Sequence, residues 1–148
     1  MDHMPHRPLA QGLTYAGTLP LIACAIAVWT GWQMGIDAVF VAVAYGAVIA
    51  SFLAGIHWAA YLFDAQRCKH NLLIASNAIA LAAWVSVWIG GLWGCVVLVL
   101  CFAMLFALDV GLHARGVLST WFFRLRRDAT IVVIAMLIAI VIKASLRG

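Results

Sequence analysis

Tyr15, Thr18, His57, Tyr61, Asn77 and Asp109 have polar or ionisable side chains set among apolar ones. In a hydrocarbon setting such groups are costly, and they turn toward a bundle interior or a cavity. His57 is the most informative of them. His57 and Asn77 are equidistant in sequence from Arg67, the middle of the short loop Asp64–His70. In a hairpin of antiparallel helices that symmetry puts them at similar depth. Asn carries both a donor and an acceptor and so suits either imidazole tautomer. The expectation is one polar cluster centred on His57, with Asn77 as its first partner and Tyr61, Tyr15, Thr18 and Asp109 around it.

Such a cluster can hold a small hydrophobic ligand such as quinone, haem or lipid, or it can only fix helix register. Haem needs a second axial ligand, for which His70 and His113 are the candidates, both nearer the membrane edge. No nucleophile–base pair, no H-E-x-x-H and no paired carboxylates occur, so catalysis is not expected. One His and one Asp are thin material for a proton relay. No metal site is expected. Cys68 and His70 lack a matching pair, and Met1-Asp2-His3 has the spacing of a terminal copper chelate, a pattern any third-position His produces. No cofactor is predicted.

The elements that must position these residues follow from composition. Of 148 residues, 67% are hydrophobic and 9% charged, with a mean hydropathy of +1.09. Soluble domains average about 25% charged residues, so this chain cannot cover itself in water. The fold class is all-α, a polytopic membrane bundle of five transmembrane helices in a single domain. The spans are expected at about 9–32, 38–63, 71–88, 92–108 and 129–146, after a polar tail over 1–8. Residues 117–127 read as a short interfacial amphipathic helix, with Val117, Leu118, Trp121, Phe122 and Leu125 opposite Arg124, Arg126 and Arg127. Pro20 falls within the first span, where neighbouring helices can satisfy the freed carbonyl.

The second span carries small residues on one half of its circumference. Gly46, Ala50, Ser51, Ala54 and Gly55 are expected to pack on other helices, with His57 on the same side. Tyr45, Val48, Ile49, Phe52 and Leu53 are expected to face lipid. The cysteines Cys24, Cys95 and Cys101 lie in apolar runs and read as small buried hydrophobes. The formal net charge of +4 comes from residues gathered at membrane edges, not from a nucleic-acid surface.

The stretch Ser51-Phe52-Leu53 followed by Gly55-Ile56-His57-Trp58 resembles a family of small, functionally uncharacterised membrane proteins that includes mitochondrial transmembrane protein 69. Gly12-Leu13, Ala16-Gly17 and Leu19-Pro20 resemble its opening span. Leu108-Asp109 and Trp121–Arg126 resemble its basic segment before the last span. Where the family has a Leu-Pro-type opening and a Trp-Tyr pair, this chain has Ser119-Thr120-Trp121-Phe122. The resemblance implies a helical bundle and no established activity. The Pro-Pro-Trp and Pro-Val-Trp-Thr elements of the tryptophan-rich sensory protein are absent.

Small size and few reactive groups point to a non-catalytic accessory or assembly subunit of a respiratory or photosynthetic membrane complex. Its partners would be the bilayer and other membrane subunits, or further copies of itself. The alternative is a binder of a hydrophobic ligand at the polar site around His57. Basic residues gather on the N-terminal side of an odd number of spans, which predicts a bacterial cytoplasmic-membrane protein with its N-terminus inside. A reporter fused after Gly148 is therefore expected to be active only outside the cytoplasm. Cytoplasmic activity would contradict the odd span count.

Overall fold

The computed structural model describes residues 6–32, 35–68 and 71–146. Six α-helices follow in chain order: α1 Arg7–Ala16, α2 Leu19–Thr30, α3 Ala38–Phe63, α4 Asn71–Ile89, α5 Gly91–Ala114 and α6 Thr120–Ser145. No strand occurs among the described residues. Taking α1 and α2 together, five segments are long and apolar enough to cross a membrane, which fits a multi-pass membrane protein. The Met1-Asp2-His3 pattern and His70 lie outside the described residues.

The break between α1 and α2 has a local cause. Pro20 lacks the N–H that would continue the helical ladder, and the chain bends at Gly17–Thr18. The Tyr45 hydroxyl donates to the Gly17 carbonyl at 2.8 Å, across from α3. Tyr45 therefore turns inward and is half-buried, not lipid-facing as its bulk suggested. Among carbonyl acceptors in an apolar bundle, one at a helix break gains most from a side-chain donor.

The helices close into a ring in the order α2, α3, α4, α5, α6, with α6 returning to α2 and α3 touching α5 across the middle. The α3–α5 seam is parallel and holds its register. Val43 faces Gly94, Gly46 faces Leu98 and His57 meets Asp109, an offset of 51 or 52 residues throughout. Small residues permit the approach. A Cβ on Gly46 would lie 2.8 Å from Leu98 Cδ1. A Cβ on Gly94 would lie 2.6 Å from the Ser86 carbonyl oxygen of α4. The Gly90-Gly91 turn makes that contact, since both glycines have positive φ (63° and 50°) and return α5 directly along α4.

Three expectations need correction. First, no separate interfacial helix forms over 117–127. Residues 115–119 are a turn, Ser119 caps α6 by accepting from the Phe122 N–H, and α6 then runs unbroken to Ser145. The segment contains no helix breaker after the cap, and Arg126 turns inward instead of joining the polar face. Second, α5 continues past Leu108 to Ala114, so Asp109 lies within a helix and not at its end. Third, Ser51 and Gly55 are exposed, while Gly46, Ala47, Ala50 and Ala54 are buried. The packed stripe of α3 is narrower than half its circumference, so residues at its margin fall outside it.

These contacts separate the glycines energetically. Gly94→Ala is expected to lower thermal stability by an amount typical of overpacking, ~1–3 kcal/mol, because the clash is with backbone. Gly55→Ala, with nothing within 4 Å of its added Cβ, is expected to be neutral or slightly stabilising. Equal melting temperatures for the two purified variants would refute the assigned α4–α5 packing.

Candidate functional site

The polar cluster is built by three helices at one end of the bundle. His57 sits six residues before the end of α3, Asp109 five before the end of α5, and Arg126 six after the start of α6. Each thus lies roughly 7–9 Å along its helix from the same end of the bundle. All three are buried: His57 is 0% exposed, Asp109 1% and Arg126 5%.

Asp109 is the hub. Its Oδ1 receives His57 Nε2 at 2.8 Å and its Oδ2 receives Arg126 Nε at 2.7 Å. A carboxylate that accepts from a guanidinium offers only lone pairs, so His57 carries its proton on Nε2. His57 Nδ1, Arg126 Nη1 and Arg126 Nη2 have no hydrogen-bond partner among the described residues. The two Nη groups are the larger anomaly, because they carry four N–H donors on a buried cation. The Phe122 ring lies over the guanidinium, 5.8 Å from its centroid to Cζ. That contact offsets part of the desolvation but uses none of the donors.

Arg126 and Phe122 also form part of the wall of a cleft of about 390 Å³ between α1, α3 and α6. The remaining wall is almost wholly apolar, including Leu13, Ile49, Phe52, Leu53, Phe102 and Val133. Thr14, Thr18 and Thr130 contribute its few other polar side chains. Leu13 and Phe52 are about two-thirds exposed, at 65% and 67%, so the cleft opens sideways, toward the lipid side of the bundle. The volume falls in the lower part of the ~300–1,000 Å³ range of ligand pockets.

The structure thus rearranges the expected site. His57 is buried and its partner is Asp109, not Asn77. Asn77 is exposed, and its neighbour Ser76 is buried instead. Equal depth in a hairpin leaves rotation about the helix axis open, and one residue turns a side chain by about 100°. Thr18 is buried and its hydroxyl donates to the Tyr15 carbonyl at 2.7 Å. Tyr15 is exposed and Tyr61 half-buried; neither lines the cleft. Arg126 is the site residue that sequence reasoning missed. The available signal was its i+1 placement behind buried Leu125, on the inner side of α6.

Among the described residues, no group of three or more His, Cys, Asp or Glu could hold a metal ion. His57 Nδ1 has no partner among the described residues, while the His113 ring places Nδ1 3.0 Å from the Leu118 carbonyl and stacks on Phe123. In the loop beyond α3, burial and the nearby Asp64 push the Cys68 thiol up, against a smaller opposite pull from Arg115. That disfavours the thiolate a metal would need.

The model of a family described as "Protein of unknown function (DUF3429)" matches residues 6–142. No curated protein and no solved structure matches the chain.

The ion pair makes a specific energetic statement. Asp109→Leu should leave Arg126 buried without its counter-charge and cost ~3–5 kcal/mol. Adding Arg126→Met should recover much of that loss, because well-packed apolar residues often replace a buried pair at little cost. A double variant as unstable as the sum of its two singles, measured by thermal unfolding in one detergent, would contradict the pairing.

Proposed function

We propose that this chain, which belongs to the DUF3429 family of unknown function, is a non-catalytic membrane protein that binds a small hydrophobic ligand in the cleft between α1, α3 and α6. One observation carries the reading. An apolar, laterally open cleft is walled at one point by a buried arginine whose Nη donors have no partner among the described residues. Ligand sites typically combine apolar walls with a few placed polar groups, and here the polar group is already present and already unsatisfied. His57 and Asp109 act behind Arg126 as positioning residues, since neither lines the cleft.

The reading includes an orientation. Arg7, Arg67, Arg115, Arg124, Arg126 and Arg127 all lie at the end of the bundle that carries the cleft's arginine. By the positive-inside tendency this end faces the cytoplasm of a bacterial cell, with the chain in the cytoplasmic membrane and its N-terminus on the cytoplasmic side. The link to mitochondrial transmembrane protein 69 belongs to the same proposal and rests on the stretch from Ser51 to Trp58.

An accessory or assembly role in a respiratory or photosynthetic complex is the competing proposal, and it predicts a different co-purification. Extraction of the protein in mild detergent, with mass spectrometry of both proteins and small molecules, separates the two. The ligand reading predicts one hydrophobic small molecule at close to one per chain, lost in a folded Ala129→Trp variant that fills the cleft. Stable membrane subunits retained without any stoichiometric small molecule would favour the accessory role and reject the ligand.

A further inference from the structure

We infer that the cleft selects a single-chain amphiphile with an oxyanion headgroup, carboxylate or phosphate, whose head is gripped by Arg126 Nη1 and Nη2. The inference rests on the proposed cleft site and adds the chemistry of its occupant. Three observations lead to it. Only one of the five Arg126 N–H donors is used: Nε is spent on Asp109 at 2.7 Å, and the two Nη groups have no acceptor among the described residues. The geometry of that free edge matches two oxygens of one carboxylate or phosphate. A neutral carbonyl would satisfy fewer of those donors.

The second observation is the electrostatics of this end of the bundle. Its described residues include six arginines against three aspartates, Asp64, Asp109 and Asp128. Asp109 divides its charge between two donors, and Asp128 is paired with Arg127 at 2.8 Å. An arriving anion therefore meets an electropositive rim, with Arg7 stacked over Trp121 at 5.4 Å. The third observation is shape. The cleft is small and apolar, with its lateral opening at Leu13 and Phe52. It suits one acyl chain entering from the bilayer, while its arginine lies about one and a half helical turns from the membrane edge, near headgroup depth. Both Nη groups are shielded, and the Phe122 ring lies over the guanidinium. The headgroup reaches them by displacing that ring, which itself lines the cleft.

Native mass spectrometry on the full chain in a non-ionic detergent tests this with three probes of equal tail: oleate, oleyl phosphate and oleyl alcohol. At least one anionic probe is expected to bind on the order of tenfold or more tighter than the alcohol. The stronger of the two identifies the source as a fatty acid or a phosphorylated lipid. Inorganic phosphate alone is expected not to compete, because it gains nothing from the apolar wall. In Arg126→Gln/Asp109→Asn, which keeps a neutral hydrogen-bonded pair, the preference should vanish while alcohol binding persists. Arg126→Lys, which keeps a charge opposite Asp109 but loses the fork, should reduce the preference and serves where the double variant fails to fold. Equal affinity for acid and alcohol in the parent protein would overturn the headgroup assignment and leave the cleft reading standing. Anion preference that survives without the Arg126 fork would move the headgroup elsewhere. Failure of all three probes to bind would reject the cleft itself.

Discussion

A cation buried in an apolar bundle must have a counter-charge, and that constraint organises one end of this protein. Arg126 is 5% exposed and reaches α5 through a 2.7 Å contact with Asp109. Asp109, itself enclosed, is shared with His57 of α3 at 2.8 Å. Three helices are thereby tied at one point through the Asp109 carboxylate. The isolated cost of burying each charge is several kcal/mol, so the pair holds only with close geometry and supporting hydrogen bonds. Hydrophobic packing cannot fix rotation and register so narrowly in lipid, where tails and side chains are equally apolar.

The α3–α5 seam supplies the geometry. Because α3 and α5 are parallel and keep a constant offset, the contact that seats Leu98 against Gly46 also delivers Asp109 to His57. Small residues at one level and a polar pair at another are two expressions of one alignment. The Tyr45 bond to Gly17 extends it to the broken first span, and thereby sets the α1 wall of the cleft. A change at Gly94, near the opposite end, therefore acts on the same seam that presents Arg126.

Much of the architecture was legible from apolar run lengths, since five runs of sufficient length specify five helices almost by themselves. The small residues Gly46, Ala50 and Ala54 also mark the inner face of α3, where close approach demands them. The cluster was legible in its members but not in its pairing. His57 and Asp109 were both visible as polar groups in apolar surroundings. Asn77 was favoured because hairpin symmetry predicts depth, whereas pairing also needs azimuth, which only the packed bundle sets. Arg126 was hidden by its neighbours. With Arg124 and Arg127 on either side, the segment read as an interfacial basic face, and a cap at Ser119 that extends α6 was the missing fact. A parallel alignment that sets small against bulky residues, Gly46 on Leu98 and Gly94 on Val43, carries His57 to Asp109.

The central claim is that Asp109 simultaneously holds His57 Nε2–H and Arg126 Nε–H inside the bilayer. Solid-state NMR of the protein in lipid, with ¹³C-labelled aspartate and ¹⁵N-labelled histidine and arginine, measures it directly. The account predicts dipolar couplings from the Asp109 carboxyl carbon to both nitrogens at hydrogen-bonding distance, with the His57 proton on Nε2 and Arg126 protected from exchange with water. Absence of either coupling, or an Arg126 side chain that exchanges freely with water, would contradict it.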